Sequence, residues 1–237
     1  SKNLPSVKTK YENIDLVIFR ENTEGLYIGE EKFEDSEKTS AIAIKRITKK
    51  GSYRIIKSAF EYAKNNNLDK VTVVHKANIL KITDGLFLET AREISEDYPD
   101  INLEETIIDN MCMQLVNRSE SYKVIVTMNL YGDILSDLVA GLVGGLGIAP
   151  GANIGEDIAI FEAVHGSAPD IAGQNKANPL ALILSGIEML KYMNLNEYAE
   201  KIEKAVLKTL EVSGLKTSDL GGNASTTEFT DKIIENL

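Results

Sequence analysis

Two aspartates stand one helical turn apart in Asn129-Leu-Tyr-Gly-Asp133-Ile-Leu-Ser-Asp137, directly after the apolar run Val124-Ile-Val-Thr-Met128. The segment reads as a strand, a turn over residues 129–132 and a helix that carries both carboxylates on one face. Two carboxylates so close repel each other unless a cation sits between them, and hard oxygen donors select Mg²⁺ or Mn²⁺. Taken alone, the pair fits a solvated helix N-terminus better, because acids are favoured there in any case. Other groups able to do chemistry also follow apolar, strand-like runs, where α/β folds place their sites. Arg20-Glu-Asn-Thr-Glu-Gly-Leu-Tyr27 offers a guanidinium that can clamp a carboxylate and a phenol that can move a proton. A salt-bridged loop arginine and a packing tyrosine fit those two residues equally well. Lys76, in His75-Lys-Ala-Asn78, suits an anionic substrate or proton transfer, although a solvated loop lysine is the commoner case. Asp109 is a third candidate metal carboxylate, and by itself it fits a helix N-cap better.

A second rich segment is Phe161-Glu162-Ala-Val-His165-Gly-Ser-Ala-Pro-Asp170-Ile171-Ala-Gly173. Such a loop can wrap an adenine nucleotide, with His165 against the base and Asp170 accepting from ribose hydroxyls; a surface loop with a structural histidine is the alternative. Neither G-x-G-x-x-G nor G-x-x-x-x-G-K-[ST] occurs, so a Rossmann or P-loop site is unsupported.

These residues need elements to hold them. The 237 residues suffice for one large or two modest domains. Strands are expected over 14–19, 39–47, 71–75, 104–108, 124–128 and 158–163, and helices over 52–65, 83–98, 110–116, 179–192 and 196–211. Thr83 is the expected cap of its helix, residues 30–38 form a charged turn, and Ser213-Gly214 closes the last helix. This alternation predicts an α/β protein. Nine of the seventeen glycines fall between Gly132 and Gly173, marking backbone that needs unusual dihedrals or close approach. The glycine-rich span suggests a boundary near residue 143. The net charge of −10 argues against nucleic acid or an anionic membrane as partner, and no apolar run approaches the length of a membrane span. A single cysteine, Cys112, excludes an internal disulfide framework and cysteine-rich zinc sites.

Five stretches in order, Arg20-Glu-Asn-Thr-Glu-Gly, His75-Lys-Ala-Asn, Asn129 to Asp137, Gly144-Gly-Leu-Gly-Ile-Ala-Pro-Gly-Ala-Asn-Ile-Gly155 and His165-Gly-Ser-Ala-Pro-Asp-Ile-Ala-Gly, resemble the metal-dependent β-decarboxylating dehydrogenases. That family acts on isocitrate, homoisocitrate or 3-isopropylmalate, and the likeness is strongest to its NAD-dependent isocitrate enzymes. The resemblance implies the family's non-Rossmann α/β fold. Residues 1–143 would form a small, dimerising domain that carries the substrate and metal groups, with a clasp-like segment near 28–48. Residues 144–237 would belong to the large, cofactor-binding domain. The family's glycine-rich G-D-G-I-G-P-E opening and the substrate-holding Ser/Thr and arginines after it are missing from these residues. An N-terminally shortened large domain and a form without turnover are therefore expected.

The resemblance also implies roles. Arg20 binds substrate carboxylates, Tyr27 protonates the enol carbon, and Lys76 acts across a homodimer on the partner's substrate. Asp133 and Asp137 bind Mg²⁺ or Mn²⁺, with Asp109 supplied by the other subunit. Glu162, His165, Gly166, Ala168, Asp170, Ile171 and Asn178 line the cofactor site. Asp170 and Ile171 stand where NADP-using relatives have Lys and Tyr, which favours NAD. The reaction implied is oxidative decarboxylation of isocitrate to 2-oxoglutarate and CO₂, a tricarboxylic acid cycle step. Homoisocitrate or 3-isopropylmalate dehydrogenase, or an inactive partner subunit, stands as the alternative. A cytoplasmic location is implied, or the mitochondrial matrix in a eukaryote.

Overall fold

The computed structural model describes every residue other than Lys10 and Ser213. The chain divides into two compact units, one of Asp15–Val139 and one of Ser1–Ile14 with Ala140–Leu237. The boundary expected near residue 143 compares with this division after Val139. Residues 1–14 fall with the C-terminal unit, where the Thr9 hydroxyl donates to the Leu142 carbonyl at 2.5 Å.

The unit Asp15–Val139 is built on strands β1 (Val17–Arg20), β4 (Lys70–His75), β5 (Asn102–Ile107) and β6 (Val124–Thr127), in the order β1-β6-β4-β5 and all parallel. Parallel strands covered on both faces read as unbroken apolar runs, which is how Val71-Thr-Val-Val and Val124-Ile-Val-Thr look in sequence. Helices α1 (Lys49–Asn65) and α2 (Thr83–Ser95) supply one covering layer. Their buried Ile56, Ala59, Phe60, Ala63, Phe87, Ala91 and Ile94 recur at helical spacing and pack on Val71, Val73, Val124 and Val126. Phe60 and Phe87 are fully buried, each worth roughly 1.5–3 kcal/mol of burial. Helix α3 (Ile108–Arg118) touches β4 and β5 and buries Met111 and Leu115. Helix α4 (Asn129–Val143) follows β6. Between β1 and α1 a short antiparallel hairpin pairs β2 (Glu31–Phe33) with β3 (Ala41–Ala43).

Three local expectations change. No turn separates β6 from α4: Gly132 N–H already bonds the Met128 carbonyl at 2.9 Å, so the helix starts at Asn129. Thr83 is the first residue of α2 and not its cap; Ile82 holds the cap position, and Asp84 turns inward. The charged segment 30–38 includes strand β2 before it turns at Asp35, whose carboxylate accepts from Thr39 and Ser40 N–H at 2.9 and 2.8 Å. Those donors hold the Asp35 carboxyl below its ordinary range.

The other unit contains the antiparallel hairpin β7 (Pro150–Ile154) and β8 (Ala159–Ala163), then α5 (Leu180–Tyr192), α6 (Asn196–Glu211) and α7 (Thr226–Glu235). Ser185 of α5 ties the hairpin to the helix, donating to the Glu162 carbonyl at 2.7 Å. Of the expected Ser213-Gly214 stop, Ser213 lies outside the described residues; Gly214 has φ +83°, the left-handed region that ends helices. Among the nine clustered glycines only Gly144, Gly145 and Gly173 have positive φ. Gly132 lies inside helix α4, and its need is for close approach.

Candidate active site

The parallel sheet presents the carboxyl ends of its strands along one edge, where consecutive loops bring chemistry together. Arg20 ends β1, Asn129 follows β6, Lys76 follows β4, and Asp109 stands just after β5.

Arg20 spreads its guanidinium over the first turn of α4. Its Nε and Nη2 donate to Asn129 Oδ1 at 3.0 and 2.8 Å, and its Nη1 donates to Asp133 Oδ1 at 2.6 Å. Gly132 makes this possible: a Cβ there would lie 2.5 Å from Arg20 Cγ and 2.7 Å from its Cβ. Asn129 is buried and also donates to the Glu24 carbonyl at 3.0 Å, which fixes the loop that follows β1. Two glutamates of that loop are struts. Buried Glu21 accepts from Thr23 and Glu24 N–H and from Arg54 Nη2 at 3.1 Å, and Glu24 accepts from Thr48 N–H at 2.8 Å.

Tyr27, half exposed, lies beside this cluster with its ring centroid 5.2 Å from Arg20 Cζ. The hydrogen bond to Asp133, then burial and the Asp133 charge, raise its pKa above the ordinary value of 10.0, outweighing the nearby Arg20. Tyr27 therefore carries its proton at neutral pH, as a proton donor must.

Lys76 and Asp109 form a second cluster, with Lys76 Nζ paired to Asp109 Oδ1. That ammonium holds the Asp109 carboxyl below its usual range. Asp109 is in the first turn of α3, and Ile107 holds the cap position. His75, 7% exposed, accepts from Ala77 N–H through Nδ1 at 3.0 Å, which places its proton on Nε2. Burial lowers its pKa.

Asp133 and Asp137 occupy successive turns of α4, Asp133 half-buried and Asp137 exposed. Among the described residues no group of three or more His, Cys, Asp or Glu is gathered to hold a metal ion, so one chain does not bring Asp109 to the other two. The donors of the helical pair are hard carboxylate oxygens, which fits Mg²⁺ or Mn²⁺ with ligands completed from elsewhere.

The expected cofactor residues all lie in the other unit and are mostly exposed. Glu162, on β8, accepts from Asn153 Nδ2 at 2.7 Å. His165 Nδ1 contacts the Gly166 carbonyl at 2.9 Å, and Ala168 takes a left-handed φ of 44° ahead of the single turn Pro169–Ile171 that carries Asp170 and Ile171. Asn178 stands just before Pro179, which holds the cap position of α5; its Oδ1 accepts from Leu180 N–H at 2.9 Å and its Nδ2 donates to Asp219 at 2.9 Å. An open loop with an imidazole and a carboxylate fits the base and ribose hydroxyls of NAD.

Sequence reasoning missed Asn129 as the anchor of Arg20, and it missed a buried hub at Asp84. That carboxylate gathers Lys45, Tyr131 and the Lys76 backbone.

Several known proteins are similar to this chain. The profile of the isocitrate/isopropylmalate dehydrogenase family matches residues 2–233. Isocitrate dehydrogenase (NAD) catalytic subunit 5, mitochondrial, of Arabidopsis thaliana is 51% identical over 236 residues, covering 99% of this chain and 63% of that protein. A mitochondrial regulatory subunit of isocitrate dehydrogenase (NAD) from Dictyostelium discoideum is 54% identical over 236 residues, covering 99% and 66%. The crystal structure of isocitrate dehydrogenase from Methylococcus capsulatus superposes with a TM-score of 0.95 at 48% identity, covering 99% of this chain and 70% of that one. The chain thus spans about 63% of the length of the first of these relatives.

Proposed function

This chain belongs to the isocitrate/isopropylmalate dehydrogenase family, and from that premise we propose that it serves NAD-dependent oxidative decarboxylation of isocitrate to 2-oxoglutarate and CO₂. The observation that carries the reading is the Arg20–Asn129–Asp133–Tyr27 cluster, set on the same strand edge as the Lys76–Asp109 pair.

Arg20 receives a substrate carboxylate, its planar fork already oriented by Asn129. Asp133 and Asp137, with Asp109 of a second copy, would hold the divalent cation. When bound, that cation would supply Lewis acidity to the substrate's C2 hydroxyl and offset the negative charge that decarboxylation develops, and NAD would accept the two electrons of the oxidation. Lys76 of that second copy lies at the hydroxyl and moves its proton. Tyr27, protonated at neutral pH, delivers a proton to the carbon that has lost CO₂. Asp170 accepts from the ribose hydroxyls of NAD and repels a 2′-phosphate, with Ile171, Glu162, His165, Gly166, Ala168 and Asn178 around it.

The reading makes the active assembly a homodimer with shared sites, with Asp15–Val139 as its dimerising part and the C-terminal unit as its cofactor-binding part. No helix among the described residues is long and apolar enough to cross a membrane, and the relatives named mitochondrial favour the matrix over the cytoplasm. The 54% identity to a regulatory subunit favours one second reading, that of a partner subunit without turnover. Steady-state kinetics of the full protein with Mn²⁺ and NAD against isocitrate, homoisocitrate and 3-isopropylmalate test the proposal. The highest kcat/KM is expected for isocitrate. A preference for either other substrate refutes the substrate assignment, and absence of turnover with all three supports the partner-subunit reading.

A further inference from the structure

Asp84 is a fully buried carboxylate that the proposed chemistry does not use. Removing such a charge from water is costly unless every lone pair finds a donor. Here Oδ1 is paired with the Lys45 ammonium and accepts from the Thr83 hydroxyl at 3.2 Å. Oδ2 accepts from the Lys76 backbone N–H at 2.8 Å and from the Tyr131 hydroxyl at 3.0 Å. The Lys45 ammonium also sits 4.7 Å from the centre of the Tyr131 ring, with its side chain only 15% exposed.

Three segments that are distant in sequence converge on this one group. Lys45 lies just past β3, Lys76 just past β4, and Tyr131 in the first turn of α4, two residues before Asp133. A single oxygen, Oδ2, joins the backbone of Lys76 to the helix that bears Asp133 and Asp137. A hydrophobic residue of similar volume would serve stability as well as a buried ion pair does. What a hydrophobic side chain cannot do is fix the Lys76 main chain against α4 by hydrogen bonds of defined direction.

We propose that Asp84, held by Lys45, is a positioning residue that fixes the backbone of the proton-transfer lysine to its own chain's α4, and so sets where Lys76 stands when it reaches the second copy's site. This rests on the functional reading above for the role of Lys76. The anchoring itself rests only on the contacts of Asp84. An ångström of misplacement at such a site costs about a hundredfold in rate.

Asp84→Asn keeps the shape but turns one acceptor oxygen into a donor, so it cannot satisfy both the Lys45 ammonium and the Lys76 and Tyr131 donors. In the full protein two measurements test it. Amide hydrogen exchange at Lys76 N–H should accelerate by about tenfold or more, with residues 56–63 of α1 unchanged. In turnover, kcat should fall by roughly 10- to 100-fold with KM for isocitrate within about threefold. In a Lys76→Met background the same substitution should change the residual kcat by less than about twofold, because it acts through Lys76. A merely structural role would give losses that multiply. If Asp84→Asn does not fold, Asp84→Asn with Lys45→Met removes both charges together and gives the same two readouts. Accelerated exchange together with non-multiplying losses supports the proposal. Unchanged exchange at Lys76, or losses that multiply, overturns it. If the parent protein does not oxidise isocitrate, the functional reading fails. Exchange alone then decides the anchoring: local acceleration upholds it, and no change overturns it.

Discussion

Gly132→Ala is the sharpest single perturbation of the site, because it adds one methyl group and removes no functional atom. The new Cβ would stand 2.5 Å from Arg20 Cγ, 2.7 Å from Arg20 Cβ and 3.0 Å from Arg20 Cδ. Contacts so short, two of them at the base of the side chain, cannot be relieved by swinging the guanidinium alone; Arg20 must leave its seat on α4. In an isolated helix the change would stabilise by about 1 kcal/mol. Overpacking opposes it by about 1–3 kcal/mol, and losing the two donors to Asn129 adds about 1 kcal/mol. The Arg20–Asp133 pair, with Asp133 about half exposed (48%), adds little more. Net destabilisation is about 1–3 kcal/mol, which for a chain of this size lowers Tm by roughly 2–12 °C. The functional effect is larger in proportion. A displaced Arg20 forfeits a charge-assisted contact to substrate worth about 1.5–3 kcal/mol, a rise in isocitrate KM of roughly 10- to 150-fold. Differential scanning calorimetry and initial-rate kinetics on the full protein read both quantities. A Gly132→Ala variant with unchanged Tm and KM within about threefold of the parent refutes the claim that this glycine exists to seat Arg20.

Asp137→Asn should weaken Mn²⁺ binding in isothermal titration calorimetry by about tenfold or more, as expected for losing one charged ligand, while leaving the fold intact because Asp137 is exposed; equal affinity would remove it from the metal site. Asp170→Lys with Ile171→Tyr should lower kcat/KM for NAD and raise it for NADP, since a lysine can pair with a 2′-phosphate that the carboxylate repels; an unchanged preference would overturn the role given to Asp170. His75 has its pKa lowered from 6.5 by burial and uses Nδ1 as an acceptor. Below 6.5 the unfolded chain therefore binds a proton that the folded chain resists. The stability His75 contributes is complete above that pH and is lost as pH falls toward the lowered folded value. Urea unfolding across pH 7.5 to 5, a window of about the imidazole range, should show a slope that flattens in His75→Gln; identical slopes would contradict the assignment.

The elements easiest to read in sequence are those whose burial is periodic. Val71-Thr-Val-Val and Val124-Ile-Val-Thr announce buried parallel strands. Ile56, Ala59, Phe60 and Ala63 mark the core face of α1, and α6 falls on residues 196–211 as expected. Helix α7 escapes a reading by periodicity because it offers only Phe229 and Ile233 to the core, although its capping box, Ser225 with Glu228, is a signal that sequence can carry. The carboxylate pair of α4 is legible because its spacing is local. The contacts that give it meaning are not: Arg20 and Asn129 are 109 residues apart, and Asp84 lies 39 residues from Lys45 and 47 from Tyr131. In sequence Asp84 is only an acid near a helix start, the commonest place for one.

One measurement bears most directly on the central claim that the Arg20–Asp133–Tyr27 and Lys76–Asp109 clusters serve metal-dependent oxidative decarboxylation. It is the parallel recording of NADH absorbance and CO₂ release from isocitrate by the full protein, with Mn²⁺ present and then removed by chelator. One CO₂ for each NADH, both abolished by chelation and restored by added Mn²⁺, is the expected result. NADH without CO₂, or turnover that continues after the metal is stripped, would contradict it.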